Sequence, residues 1–298
     1  MTFSKIKNKD KFVFKSEITL RIILSIAIFL FVAQYGLDKG GRWDLNEQIL
    51  TGFNIANGNF DIYQPGYLGK FSVTTIYPYF QPLILGILSK FTSLRNLELI
   101  TICFICPAIV MTFFNFLIDL SFKAYSLKNY SNIPRSLHML QIFSIFYLSR
   151  DYIYYASEFK PDTIAILFLL ISIYFSLGLN RNHDEKYFIK SDLKTIFIVS
   201  VFLFLSCSTK QQFLLPSLFI CFYLSFISKS IFKFTLLISG ILSSYLLPNY
   251  FFKGYLDMII FSHMGRGLVN LKNIYIITLH NLEYIFSSIF MLILLFSI

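Results

Sequence analysis

Residues 18–48 read ITLRIILSIAIFLFVAQYGLDKGGRWDLNEQ. Up to Gly36 this stretch carries a single charge, Arg21, across an otherwise apolar run. A bilayer core accommodates about 20 such residues per helix, so the run reads as a membrane span over 18–36. The polar GGRWDLNEQ (40–48) follows at once and sets Asp44 and Glu47 close to where the chain leaves the bilayer. In so apolar a protein, carboxylates gathered at one membrane face mark a place to look for chemistry.

Composition carries the same reading through the chain. Of 298 residues, 56% are hydrophobic and only 14% charged, whereas a soluble domain has about 25% charged residues. The net charge of +10 is spread in short blocks between apolar runs. No continuous basic face or tail forms, which argues against nucleic acid as a partner and for basic residues as topology signals. Cys103, Cys106, Cys207 and Cys221 all fall within apolar runs. Despite the CxxC spacing of the first two, no second Cys or His pair follows at zinc-site spacing, so packing is their expected role.

Apolar runs bounded by charge predict an all-α, polytopic transmembrane helical bundle with about eight spans, at roughly 18–36, 97–121, 134–149, 162–179, 194–208, 212–228, 232–250 and 281–298. The runs at 134 and 194 are short, as in helices that stop early at a wet cavity or continue into the interface. The whole of 1–298 forms one domain. The basic N-terminus precedes a run longer than a signal-peptide core, which predicts an uncleaved first span.

With the N-terminus cytoplasmic, fourteen Lys and Arg fall in the inner segments and eleven in the much longer outer ones. That density matches the retention of positive charge inside. Residues 37–96 then form a long first extracytoplasmic loop. Within it, QILTGFNIANGNF reads as an amphipathic helix ending near Gly58. The Pro-rich YPYFQPLILGILSKF reads as a short apolar segment in the interface, with Tyr77, Tyr79 and Phe80 in the aromatic belt.

The other outer loops are short, and each offers ionisable groups: Arg150, Asp151, Glu158, Lys160 and Asp162 in SRDYIYYASEFKPD, Lys210 with Gln211 and Gln212 in STKQQ, and Lys253, Asp257, His263 and Arg266 in the last. Joining a sugar to an acceptor needs a carboxylate to take a proton and cations to hold a phosphate leaving group. Outside the cytoplasm, where nucleotide sugars are absent, the donor would be a polyprenyl-phosphate sugar anchored by its tail.

The pattern Asp44, Glu47, Ala56, Gly58, Tyr63, Tyr77-Pro78 and Pro82, followed by Asp162 in KPDTIAILFLL and Lys210 in STKQQFLLP, resembles the GT-C membrane glycosyltransferases of the protein O-mannosyltransferase and aminoarabinose-transferase types. The resemblance covers roughly the first 215 residues. It implies a bacterial inner-membrane enzyme of the cell envelope that moves a sugar to a lipid, glycan or protein acceptor. It further implies Asp44 as base, Asp162 and Glu47 as assisting acids, and Lys210, Arg266, Tyr77 and Lys160 as substrate-binding residues. Asp44 and Asp162 would also be the ligands of any divalent cation, Mg or Mn. Two departures stand out: Leu45 and Asn46 separate Asp44 from Glu47, where the family has adjacent acids, and the chain ends inside an apolar run where the family continues through further spans, as in a short or truncated member.

Simpler roles compete at each position. Asp44 before LNEQIL fits a helix cap with Glu47 at the capping-box position, and Asp162 beside Pro161 fits a cap equally. Glu158 and Asp151 fit surface pairs with Lys160 and Arg150. Lys210 fits a side chain that snorkels to the headgroups, and Trp43, Tyr63 and Tyr67 fit interfacial anchors. At the level of the whole chain, a transporter or flippase of a lipid-linked or anionic solute is the main alternative, and a non-catalytic membrane scaffold is a third.

Overall fold

The structure is a computed structural model that describes residues 3–38, 43–63, 78–127, 134–148, 150–157, 159–176, 185–228, 230–257 and 259. Tyr77, Arg266, His263 and the run 281–298 lie outside the described residues. Among those described, every regular element is helical: α1 (Phe3–Asp38), α2 (Trp43–Ala56), α3 (Phe80–Ser89), α4 (Leu94–Ile100), α5 (Cys106–Leu127), α6 (Arg135–Leu148), α7 (Arg150–Ser157), α8 (Pro161–Ser176), α9 (Glu185–Thr209), α10 (Leu214–Ser228) and α11 (Ile231–Phe251). Three helical stretches, Ser16–Asp38, Leu94–Lys123 and Ile231–Phe251, are long and apolar enough to cross a membrane. They match the expected spans at 18–36, 97–121 and 232–250. The ranges expected to hold further spans contain α6, α8, α9 and α10, of 14, 16, 25 and 15 residues. Of the two outcomes foreseen for the short run at 194, the helix continues, reaching back to Glu185.

The helices are apolar on both faces. In α1 the stripe Leu24, Ile28 and Val32, spaced by four residues, packs into the core, while Ile22, Ile23, Ile26 and Leu30 face outward. A water-facing helix would place polar residues on that outer side, whereas lipid accepts an apolar one. On α9 the inward stripe is Ile196, Val199, Leu203 and Cys207, which packs with Leu237, Ile241 and Tyr245 of α11 in the second of two cores. The four cysteines are free, three of them buried, in line with a packing role.

A π-helical turn, Thr101–Ile105, joins α4 to α5 in one continuous rod. Pro107 follows in the first turn of α5 and has no N–H to give the Cys103 carbonyl, so the hydrogen-bond ladder must shift there. The bulge lies against the end of α1, where a Cβ on Gly36 would come 2.7 Å from Ile102 Cγ2.

After α1 the chain turns back onto the bundle. α2 ends at Asn57 and Gly58, whose φ of 81° is a left-handed conformation that glycine adopts freely; Gly58 N–H donates to the Ile55 carbonyl at 3.0 Å. The expected helix end near Gly58 is therefore observed, although the helix starts earlier, at Trp43. α2 then packs on α3 backbone to backbone: a Cβ on Gly52 would overlap the Pro82 carbonyl and lie 2.7 Å from Gly86 N. Replacing Gly52 with Ala is expected to force the two helices apart at a cost of about 1–3 kcal/mol. A lowered melting temperature of the detergent-solubilised variant would register this, and an unchanged one would contradict so close a crossing.

The two ends of the bundle differ in how their polar groups are satisfied. At one end, Arg21 of α1 makes a bidentate ion pair with Asp119 of α5, at 2.7 and 3.0 Å, and its Nε donates to Asn115 Oδ1 at 2.6 Å. Glu17 lies 3.7 Å from Arg135, Ser121 meets His138, and Lys123 donates to the Tyr174 carbonyl. These contacts tie α1, α5, α6 and α8 together. The other end gathers the C-terminus of α1, α2, α3, α7, the start of α8 and the end of α9. It is this end that carries the polar pair described next.

Candidate functional site

The turn between α7 and α8 is held in an uncommon conformation. Phe159 has φ of 55°, a left-handed geometry costing a bulky residue on the order of 1–3 kcal/mol. The turn is fixed by Phe159 N–H to the Ala156 carbonyl and Lys160 N–H to the Tyr155 carbonyl, both at 3.0 Å. Pro161 then opens α8, where its missing N–H is no loss, and Asp162 and Thr163 follow in the first turn. Asp162 is thus inside the helix and is not its capping residue; its side chain is used elsewhere.

That use is an ion pair. Lys210 interrupts the chain between α9 and a short 3-10 turn with an extended backbone, φ −149° and ψ 120°, and its Nζ donates to Asp162 Oδ2 at 3.1 Å. The Lys210 side chain is 11% exposed and the Asp162 side chain 35%. The ammonium is therefore drawn inward instead of snorkelling to the surface, and the carboxylate keeps one side open. Desolvation of the cation is offset by the carboxylate it meets.

α3 braces both partners. Gln81 is fully buried and its Nε2 donates to the Phe159 carbonyl at 2.7 Å, three residues before Asp162. Tyr79 donates its hydroxyl to Ser208 Oγ at 3.3 Å, two residues before Lys210. Three long-range contacts thus close a ring: α3 to the 159–163 turn, α3 to the 208–211 turn, and one turn to the other through the ion pair.

On or beside this ring, buried polar atoms lack hydrogen-bond partners among the described residues. They are Gln81 Oε1, Thr163 Oγ1 and Gln211 Oε1, joined on α2 by both amide atoms of Gln48 and by Asn54 Nδ2. Each such atom costs about 1–3 kcal/mol if left unsatisfied, so bound water or a ligand is the expected partner.

An aromatic block lies under the site. Tyr63 stacks edge-on to Tyr255 at 5.0 Å and to Phe252 at 5.8 Å, and Tyr79 lies 5.6 Å from Phe252 and 5.9 Å from Tyr255. Burial first, then the neighbouring Tyr255 and Tyr79 phenols and the Glu47 carboxylate, push the Tyr63 hydroxyl well above its ordinary value. These phenols stay neutral at physiological pH and do not act as bases. Two expectations are corrected here. Tyr63, 1% exposed, is not an interfacial anchor, and Tyr79 is a core residue and not part of an aromatic belt. The described parts of 37–96 pack on the bundle, where Ile55, Ile62, Tyr63 and Tyr79 join the core of α9 and α11.

The remaining candidates take these places. Asp44 is the second residue of α2, at the same end of the bundle as the ion pair. The helix starts before it, at Trp43, and not after it as the capping reading required. Glu47, one turn on, lies within electrostatic reach of Tyr63. Lys160 stands 4.5 Å from the ring centre of Tyr155 and 5.3 Å from that of Tyr154, a cation–π arrangement. Lys210 and Asp162 are brought together. Tyr77, Arg266 and the Glu158 side of the expected Glu158–Lys160 pair fall outside the described residues.

Gln81, Gln48 and Thr163 were not anticipated. The only signal for Gln81 was an amide set in the apolar FQPLILGIL, since an uncharged buried side chain leaves no charge pattern to read. Among the described residues no three His, Cys, Asp or Glu side chains gather. Asp162 is also engaged by an ammonium, where a cation would need several oxygen ligands.

No protein-family model matches the chain, and comparison with curated proteins and with solved structures likewise finds no match.

Proposed function

We propose that the chain is an integral membrane glycosyltransferase that moves a sugar from a polyprenyl-phosphate donor to an acceptor hydroxyl or amine at the extracytoplasmic face. In this reading α6, α8, α9, α10 and the 281–298 run also cross the bilayer, making about eight spans, and the Asp162–Lys210 end faces outward. The observation that carries the proposal is the Asp162–Lys210 pair, with buried polar atoms nearby that lack partners among the described residues, at the same end as α2, whose second residue is Asp44.

The chemistry is a displacement at the anomeric carbon. Asp44 accepts the proton of the acceptor, whose heteroatom bonds to C1 as the bond from C1 to the phosphate oxygen breaks. The leaving polyprenyl phosphate takes the electron pair, and the Lys210 ammonium stabilises the charge. Asp162 is a positioning residue, holding that ammonium at the site. Lys160, and Arg266 from the last loop, add positive charge toward the lipid headgroup.

The transporter alternative calls for ionisable groups near the bilayer midplane. The described charges nearest to that condition, Arg21 and Asp119, are engaged with each other and clamp α1 to α5.

The test is selective lipid binding. The purified protein in nanodiscs, offered undecaprenyl phosphate and undecaprenol in native mass spectrometry, is expected to retain the phosphate-bearing lipid about tenfold more tightly, a difference of about 1.4 kcal/mol. Equal retention of the two lipids would refute a phosphate site.

A further inference from the structure

Among the described residues, the buried atoms that lack partners on α3 and on the two turns of the ion pair differ in chemical kind from what a phosphate needs. Gln81 Oε1 and Gln211 Oε1 are amide carbonyls, which only accept hydrogen bonds. Asp162 presents an acceptor too, through the open side of its carboxylate. The oxygens of a phosphodiester also only accept, so they satisfy none of these three groups. Thr163 Oγ1 works in either direction. Lys210 matches the phosphate, as do the unpartnered donors Gln48 Nε2 and Asn54 Nδ2 on α2, whereas the acceptors on α3 and the two turns call for a donor.

The amide of Gln81 has its orientation fixed by one bond. Its Nε2 must remain on the Phe159 carbonyl at 2.7 Å, because a flipped amide would set two carbonyl oxygens against each other. Oε1 is therefore held as an acceptor without a partner among the described residues. The side chain is wholly buried, and α3 cannot easily withdraw it, since Gly52 and Gly86 lock that helix against α2.

We infer that Gln81, seconded by Thr163 and Gln211, forms the sugar subsite, with the Gln81 carbonyl accepting a hydrogen bond from a hydroxyl of the sugar being transferred. This rests on the proposed function and deepens it: the phosphate is held by Lys210 and the sugar by neutral acceptors. A site built to accept a hydroxyl discriminates strongly against a ligand without one, because the buried acceptor is then stranded. The protein thereby distinguishes a loaded carrier from a spent one, which favours release of the bare polyprenyl phosphate after transfer.

The experiment compares two lipids on the intact protein in nanodiscs: undecaprenyl phosphate, and undecaprenyl phosphate carrying a glucosyl group. The wild-type protein is expected to bind the glucosylated carrier about tenfold more tightly than the bare one. In Gln81→Met, which removes the acceptor, that preference should vanish, while a cooperative melting transition shows that the fold is intact. Gln81→Glu loses the bond to Phe159, as Met does, but keeps an acceptor, and should retain most of the preference.

Three results overturn the inference while leaving the carrier reading in place: a wild-type protein with no preference, a Gln81→Met variant that keeps it, or a variant that loses both lipids alike. Failure of the wild-type protein to bind either lipid above undecaprenol would instead sink the carrier reading, and the inference with it.

Discussion

Replacing Asp44 with Asn is expected to lower sugar transfer by about 10² to 10⁴, the usual worth of a positioned general base. The substitution conserves size and leaves a residue that suits the first turn of α2 as well as Asp does. Stability should change little, and binding of the bare carrier should be kept, because Asp44 touches the acceptor and not the phosphate in the proposed chemistry. The measurement is the rate at which labelled sugar leaves the carrier in membranes that supply the acceptor. Full activity in the variant would end the assignment of the base; lost carrier binding would move Asp44 from proton transfer to substrate positioning.

Lys210→Met carries the second large effect, and it acts on fold and function together. Removing the ammonium leaves Asp162 near buried atoms that themselves lack partners among the described residues. Loss of a charge-assisted hydrogen bond costs about 1.5 to 3 kcal/mol, moderated here because the Asp162 carboxylate is partly open to solvent. The leaving phosphate also loses its counter-charge, which by comparison with other anion-stabilising donors lowers turnover by about 10² to 10³. Pairing Lys210→Met with Asp162→Asn separates the two effects. The double variant no longer strands a carboxylate, so it should recover much of the lost melting temperature while transfer stays low. Recovery of transfer with stability would reduce the pair to a structural strut.

The three long apolar helices were legible because run length and charge-free composition are direct consequences of bilayer thickness. The expected ranges at 18–36, 97–121 and 232–250 differ from the observed apolar helices by a few residues at their ends. The short helix α7 and the π turn before Cys106 were not legible, since both are local answers to backbone problems: Pro107 removes a donor, and the chain must reverse ahead of Pro161.

At the site, Asp162 and Lys210 each stood out as charges beside apolar runs. Their pairing did not, because it requires α8 and α9 to lie side by side with the two turns at one end, a relation that no spacing along the chain encodes. Tyr63 and Tyr79 were misread for the opposite reason. Aromatic residues in a polar loop look interfacial until it is known that the loop packs back on the bundle and buries them. Gln81 was invisible because an amide without charge carries no signature beyond its neighbours.

The central claim is that a lipid phosphate and its sugar sit at the Asp162–Lys210 end of the bundle. Photocrosslinking tests it most directly, using an undecaprenyl-phosphate analogue with a diazirine on the isoprene unit next to the phosphate, followed by peptide mapping of the intact protein. Adducts are predicted on segments 79–81, 159–163 and 208–211, and excess undecaprenyl phosphate should suppress them. Adducts that cluster instead around Arg21, Asp119 and Arg135 at the opposite end, or that persist under competition, would contradict it.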